Sequence, residues 1–199
     1  MEKKKITIIG AGMMGSALAF PAAENGHEVH IVGTCLDDKI IDGYLATGKH
    51  EKFCRPFPEN VNYHYFKDWK TVVEGSDFVI GGVSSFGVDW FLEEILIQLD
   101  PEMPVLSVTK GLRATDDGSL LSYPGYWMSE LAKRGIHRDI CAVGGPCTSY
   151  ELVFKDPTEV AFCAWDNEVL RMMKQAMQRP YYHISLTNDV IGLESAVAL

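Results

Sequence analysis

The chain has little positive charge, no paired cysteines and no long apolar run. Its 18 Lys and Arg stand against 27 Asp and Glu, a formal net charge of −9, which argues against nucleic acid or an anionic membrane surface as the main partner. An anionic ligand would have to be held by local features: backbone amides, a helix end and a few well-placed lysines. The cysteines (Cys35, Cys54, Cys141, Cys147 and Cys163) form no Cys-x-x-Cys pair and are odd in number, so a reducing compartment fits better than a disulfide framework. The histidines are scattered without metal-ligand spacing, and no metal is expected. No apolar stretch reaches the roughly 20 residues that span a bilayer. The opening Met1-Glu2-Lys3-Lys4-Lys5 leads into too short an apolar stretch for a secretory signal. Together these absences predict a cytoplasmic protein with no membrane insertion.

The 199 residues, 47% hydrophobic and 23% charged, can hold one large domain or one domain and a fragment of another. Short apolar runs at 6–9, 28–32, 61–66, 77–83, 104–109, 140–143, 158–164 and 181–186 read as strands. Helical patterns separate most of them, at 39–48, 69–74, a stretch closed by Asp100-Pro101, 120–134 and 169–178. Such alternation predicts an α/β fold: a doubly wound, mostly parallel sheet with helices on both faces. Pro21 falls inside the first helical pattern, and a bend there is expected rather than a stop.

The first strand feeds straight into Gly10-Ala11-Gly12-Met13-Met14-Gly15 and then Ser16-Ala17-Leu18-Ala19. In a strand-turn-helix each glycine has its own part in holding a dinucleotide. Gly10 permits the tight turn, Gly12 lets the backbone approach a pyrophosphate, and Gly15 lets helix pack on strand. The helix start adds unpaired N–H groups and a positive dipole end. The alternative is a tight turn that merely joins two packed elements. In NAD-selective folds an acid at the tip of the second strand holds the ribose hydroxyls. Here that strand ends Ile31-Val32-Gly33-Thr34 without one, and Asp37 and Asp38 are expected to cap the next helix. NADP is therefore permitted, though no arginine demands it and Lys39 would have to fold back. The expected cofactor is NAD(P) with a lean towards NADP, and Thr34 is taken as one of its contacts.

Three further segments follow strand ends, where open α/β sheets bind ligands. Phe86, in Val83-Ser84-Ser85-Phe86-Gly87, either packs against a cofactor ring or caps the core. Lys110, in Val108-Thr109-Lys110-Gly111, either polarises a carbonyl, gives a proton to a nascent alkoxide or holds a phosphate, or is simply an exposed lysine. The Gly144-Gly145-Pro146-Cys147-Thr148-Ser149 turn leads small polar groups towards a helix start before Glu151-Leu152. Cys147 has no histidine nearby in sequence and is not expected to be a nucleophile.

These segments, with Asp189-Val190-Ile191-Gly192-Leu193, resemble the NAD(P)-dependent glycerol-3-phosphate dehydrogenases in order and over nearly the whole chain. The resemblance implies a Rossmann-type fold and an oxidoreductase that interconverts sn-glycerol 3-phosphate and dihydroxyacetone phosphate, feeding phospholipid synthesis in bacteria. It implies Met13 and Met14 at the cofactor pyrophosphate, Ser149 beside the cofactor, and Lys110 as the catalytic residue near nicotinamide and substrate. Gly145 and Cys147 would line the site of the phosphorylated small-molecule substrate. Two departures are visible: Met14 stands where the bacterial enzymes often have an aromatic, and Cys147 where Ser or Thr is common. In the family the last helix continues into Ala-Leu-Lys-Asn, whose lysine is the general acid/base, while this chain stops at Ala198-Leu199. The resemblance thus implies an enzyme cut to its nucleotide-binding domain, residues 1–188, with 189–199 starting a helical substrate domain. Impaired activity, an exposed apolar face around 190–199 and a homo-oligomer formed through it are expected. A β-hydroxyacid or ketopantoate-type dehydrogenase shares the glycine turn but not Thr-Lys-Gly and Asp-Val-Ile-Gly together. A non-catalytic dinucleotide-binding module is the reading from another class.

Overall fold

The strand nearest the amino end, β1 (Lys5–Ile9), is a run of β-branched residues of which Ile6, Ile8 and Ile9 are fully buried. Burial on both faces marks the middle of a parallel sheet. A computed structural model of the chain describes residues 2–115 and 118–198. In it β1 pairs in parallel with β2 (Glu28–Val32) on one side and β4 (Phe78–Gly81) on the other. The remaining strands of this sheet are β3 (Val61–His64), β5 (Val105–Ser107), β8 (Ile140–Gly144), β9 (Thr158–Cys163) and β10 (Tyr182–Thr187). They lie in the order β10-β9-β8-β5-β4-β1-β2-β3. Every pairing is parallel except β8 with β9. The predicted doubly wound sheet is therefore the observed one, and the strand order reverses between β1 and β4.

The period-2 alternation of each strand feeds two cores. On one face Ile6 and Ile8 pack with α1 (Met13–Glu24), α2 (Asp38–Thr47), α6 (Ser149–Phe154) and α7 (Asn167–Met177). On the other, Ile9, Val79 and Val105 pack with α3 (Trp69–Val73), α4 (Val88–Phe91) and α5 (Tyr123–Ala132). Pro21 sits buried within α1, and the helix runs on to Glu24, giving up the hydrogen bond that the missing N–H would make. The helix after β4 is irregular: α4 widens into a π-type turn over Leu92–Leu96, where Ile97 N–H bonds Leu92 O at 3.2 Å.

Two expectations are corrected. The 120–134 stretch is not one helix, because Leu120–Ser122 forms β7, antiparallel to β6 (Leu112–Ala114). Helix α5 starts only at Tyr123, where Ser122 Oγ accepts from Gly125 N–H at 3.2 Å and Pro124 fits the first turn. Leu199, part of the apolar face expected at 190–199, lies outside the described residues; over the described part, the apolar side of the last helix, α8 (Val190–Ala198), is largely covered. Val190 is buried with Ala142 and Cys163, and Leu193 lies over Gly144, which has no side chain to hold it off. Ile191 alone among the large side chains of this helix counts as strongly exposed, at 73%. Among the described residues no helix is long and apolar enough to cross a membrane, and no cluster of His, Cys, Asp and Glu could hold a metal ion.

Candidate functional site

The glycine turn occupies the crevice where the strand order reverses. Gly10 N–H bonds Val32 O at 2.8 Å, and Gly82 N–H bonds Ile9 O at 2.8 Å, so the ends of β1, β2 and β4 are drawn together. Gly10 has φ +112°, and a Cβ on it would lie 2.6 Å from the backbone oxygen of Gly82. Only glycine fits there. Gly15 packs against the Gly10 carbonyl, closer than a Cβ would allow, which is the helix-on-strand contact its position predicts. Gly12 is different: nothing stands within 4 Å of where its Cβ would be. Helix α1 begins there without a side-chain cap and with no acid in its first turn, leaving its N–H groups and positive end for a ligand.

A cleft of about 610 Å³ opens on that helix end. It brings together Gly10, Gly12, Met13, Met14, Thr34, Phe86 and Lys110. Its volume lies within the range of cofactor pockets, and the open floor at Gly12 with the uncapped helix end suits a pyrophosphate. Phe86 is 99% exposed at the cleft, so it does not cap the core. Leu36, 88% exposed, lines the cleft as well.

Lys110 is positioned by the residue before it. Thr109 Oγ1 donates to Val83 O at 2.7 Å, fixing the chain after β5 against the end of β4. Lys110 Nζ donates to Gly145 O at 2.6 Å. A small cavity of about 30 Å³ shares Lys110 and Met14 with the cleft and adds Gly145, Cys147 and Tyr182. Lys110 thus stands between the cofactor-sized cleft and the Gly145–Cys147 turn. Burial pushes the Cys147 thiol up, against weaker opposing effects from the Thr158 hydroxyl and the Lys110 charge, so it is a neutral thiol at pH 7. Ser149 is not brought to the site: it is buried at the start of α6 and lines neither cavity. The Thr148–Glu151 capping box beside it serves the helix itself.

One acid was misjudged from the sequence. Asp37 sits at the N-cap of α2, yet its carboxylate makes no cap bond there. Instead Oδ2 accepts from Thr34 N–H at 2.8 Å and Ala11 N–H at 3.1 Å, and the residue lines the cleft. The tip of β2 therefore does carry an acid, delivered by a turn that folds back. No spacing rule announces this, because the acid lies beyond the strand and only the loop's path returns it. Gly82 and Trp90 also line the cleft without having been singled out; the strand-to-helix turn after β4 was the signal for both.

Comparison with known proteins agrees with this geometry. Residues 5–170 match the family model described as NAD-dependent glycerol-3-phosphate dehydrogenase N-terminus. The NADP(+)-dependent glycerol-3-phosphate dehydrogenase of Archaeoglobus fulgidus is 30% identical over 194 residues, covering 98% of this chain and 56% of the relative. The glycerol-3-phosphate dehydrogenase structure from Plasmodium falciparum superposes with a TM-score of 0.85 at 21% identity, over 99% of this chain and 56% of that one. The enzyme from Coxiella burnetii gives 0.83 at 22% identity, over 98% and 57%; these two likenesses establish the fold. The chain spans about half the length of the curated relatives it matches. By the family model's match over most of its length, the chain belongs to the family of NAD-dependent glycerol-3-phosphate dehydrogenase N-terminal domains.

Proposed function

We propose that this chain provides the nucleotide-binding part of an oxidoreductase that interconverts sn-glycerol 3-phosphate and dihydroxyacetone phosphate with NAD(P). Residues 1–188 form the cofactor domain in this reading, and 189–199 open the substrate-side helix. The observation that carries it is the common cleft: the uncapped start of α1 over an open Gly12, with Lys110 at the far side next to Gly145. The Archaeoglobus relative named for NADP(+) supports a lean towards NADPH.

When bound, the nicotinamide supplies or accepts the hydride. The chain's own residues bind and orient. The N–H groups of Met13 and Met14 at the α1 amino end take the pyrophosphate. Thr34 borders the ribose, and the exposed Phe86 ring offers an apolar face. Lys110 has three N–H donors, and one is used by Gly145 O. The others, which make no hydrogen bond to the described residues, can meet the substrate's carbonyl or phosphate oxygen, stabilising negative charge as it develops there. Gly145 and Cys147 form the adjoining wall, with the thiol neutral and serving by shape. Ser149, which lines neither cavity, takes no part in this proposal.

The test is titration with NADH and NADPH by fluorescence, followed by cofactor oxidation with dihydroxyacetone phosphate. Binding with consumption dependent on that substrate supports the reading. Failure to bind either dinucleotide overturns it. Binding with turnover of ketopantoate or a β-keto acid instead would transfer the chain to the related dehydrogenases. Binding without turnover in this chain fits a nucleotide-binding part on its own; binding without turnover also in a fusion to the C-terminal part of the Archaeoglobus relative would favour a non-catalytic dinucleotide module.

A further inference from the structure

Helix α2 and its cap reach back to the glycine turn and hold Ala11 at both of its backbone polar groups. On the N–H side stands the Asp37 carboxylate, whose Oδ2 is shared between Ala11 N–H at 3.1 Å and Thr34 N–H at 2.8 Å. On the carbonyl side, Ala11 O lies 3.0 Å from Tyr44 Oη and 3.1 Å from Ser16 Oγ, and these hydroxyls are 2.6 Å apart. Tyr44 and Ser16 are fully buried. Burial raises the tyrosine's pKa well above its ordinary range, so its hydroxyl keeps its proton at neutral pH. Ala11 lies between Gly10, held at a positive φ that suits only glycine, and the open Gly12, so whatever fixes its backbone fixes the direction of the N–H groups that follow.

We propose that Asp37 and Tyr44 are positioning residues for dinucleotide binding, locking the Ala11 backbone so that the glycine turn presents its N–H groups to the pyrophosphate in one orientation. The inference rests on the reading above that the cleft takes a dinucleotide. It differs from the usual part of an acid at this strand tip, which accepts ribose hydroxyls and excludes a 2′-phosphate. Here the carboxylate oxygen is committed to N–H donors on two sides of the turn. Its charge is partly offset where it stands, and its removal disturbs a loop that NADH and NADPH use alike. The two residues act on one target, so their effects on binding are coupled rather than independent.

The experiment is a set of dissociation constants for NADH and NADPH, by fluorescence titration, for the unaltered chain and for Asp37→Ala, Asp37→Asn, Tyr44→Phe and the double variant Asp37→Ala/Tyr44→Phe. Thermal unfolding confirms that each is folded at the assay temperature. Asp37→Ala is expected to weaken both cofactors about ten-fold, the worth of a charge-assisted hydrogen bond, with their ratio unchanged to within about two-fold. Asp37→Asn keeps an acceptor oxygen at the same place and restores part of the loss. The double variant falls short of the product of the single effects. A loss confined to NADH, or a gain for NADPH, would overturn the proposal and make Asp37 a ribose selector. Unchanged constants in folded variants would overturn it too. Should Asp37→Ala not fold, Asp37→Asn and Tyr44→Phe carry the same comparison. If the unaltered chain binds neither dinucleotide, the reading of the cleft itself has failed, which is a separate result.

Discussion

Replacing Gly10 and Gly12 in turn by alanine separates the two tasks of the glycine turn. At Gly10 the φ of +112° is strained for any side chain, and the new Cβ would meet Gly82 O at 2.6 Å and Gly82 C at 2.8 Å, both backbone. The strained φ costs about 1–3 kcal/mol, and the clash with an unyielding strand end costs a similar amount. The narrower unfolded ensemble of alanine returns about 0.4–1 kcal/mol. The net expectation for Gly10→Ala is a loss of about 3 kcal/mol of stability, a large fraction of a typical total. Gly12 has φ −65° and ψ 175°, which alanine adopts freely, and the new Cβ enters open space. Its stability cost, the weaker N-cap preference of about 0.5–1 kcal/mol, is largely offset by the same unfolded-state gain of about 0.4–1 kcal/mol, so stability should change little. Its binding cost is larger, because the methyl stands where the backbone must approach the pyrophosphate. NADH affinity should fall about ten-fold or more, as for a lost charge-assisted hydrogen bond. Urea unfolding followed by tryptophan fluorescence, with Trp69 and Trp127 buried as reporters, gives the first quantity, and cofactor titration the second. A Gly10→Ala protein as stable as the parent would refute the packing of the turn against β4. A Gly12→Ala protein that binds NADH unchanged would refute the placement of the pyrophosphate.

Three further expectations follow from the same geometry. In a fusion of this chain to the C-terminal part of the Archaeoglobus relative, Lys110→Met should lower turnover of dihydroxyacetone phosphate by about 10²-fold or more, as for loss of an oxyanion-stabilising donor, while NADH binding changes little; equal losses in both would deny the lysine its place at the substrate. Burial is the largest cause lowering the pKa values of His27, His50 and His64 below the ordinary 6.5, so the unfolded chain binds more protons. Stability should therefore fall as pH drops below about 6.5, by at most about 1.4 kcal/mol per pH unit for each histidine, and urea midpoints between pH 5 and 7.5 that stay flat would contradict this. Trp127 is fully buried and its indole N–H donates to Val88 O at 2.8 Å; Trp127→Phe should cost about 2–4 kcal/mol through the void and the orphaned carbonyl, read from the same urea curves.

Most of the architecture was legible because it rests on local periodicity. A strand buried on both faces has to be a short apolar run, and β1 and β4 are such runs, while β2 alternates buried Val29 and Ile31 with partly buried Glu28 and His30. A helix that starts at a glycine turn and ends at Asn25-Gly26 carries its signals within a few residues. The departure at 120–134 has a local cause: Leu120-Leu121-Ser122 is apolar enough to extend a helix, and only pairing with Leu112–Ala114 makes it a strand. Strand identity there depends on a partner, and pairing is not written in either segment alone.

The sequence by itself determined the glycine turn, the sheet's direction and the lysine after β5, since each depends on residues adjacent in the chain and on conformations that only certain residue types adopt. Tertiary structure decided what meets in the cleft. It turned Phe86 outward, buried Ser149 at the start of α6, tied Lys110 to Gly145 and folded Asp37 back onto Ala11. It also laid α8 over Gly144, covering a face that composition alone left open. These outcomes depend on which loops return to the strand ends and on which side chains must bury to close the two cores. Such choices are made by the free energy of the whole packed molecule, not by any segment of it.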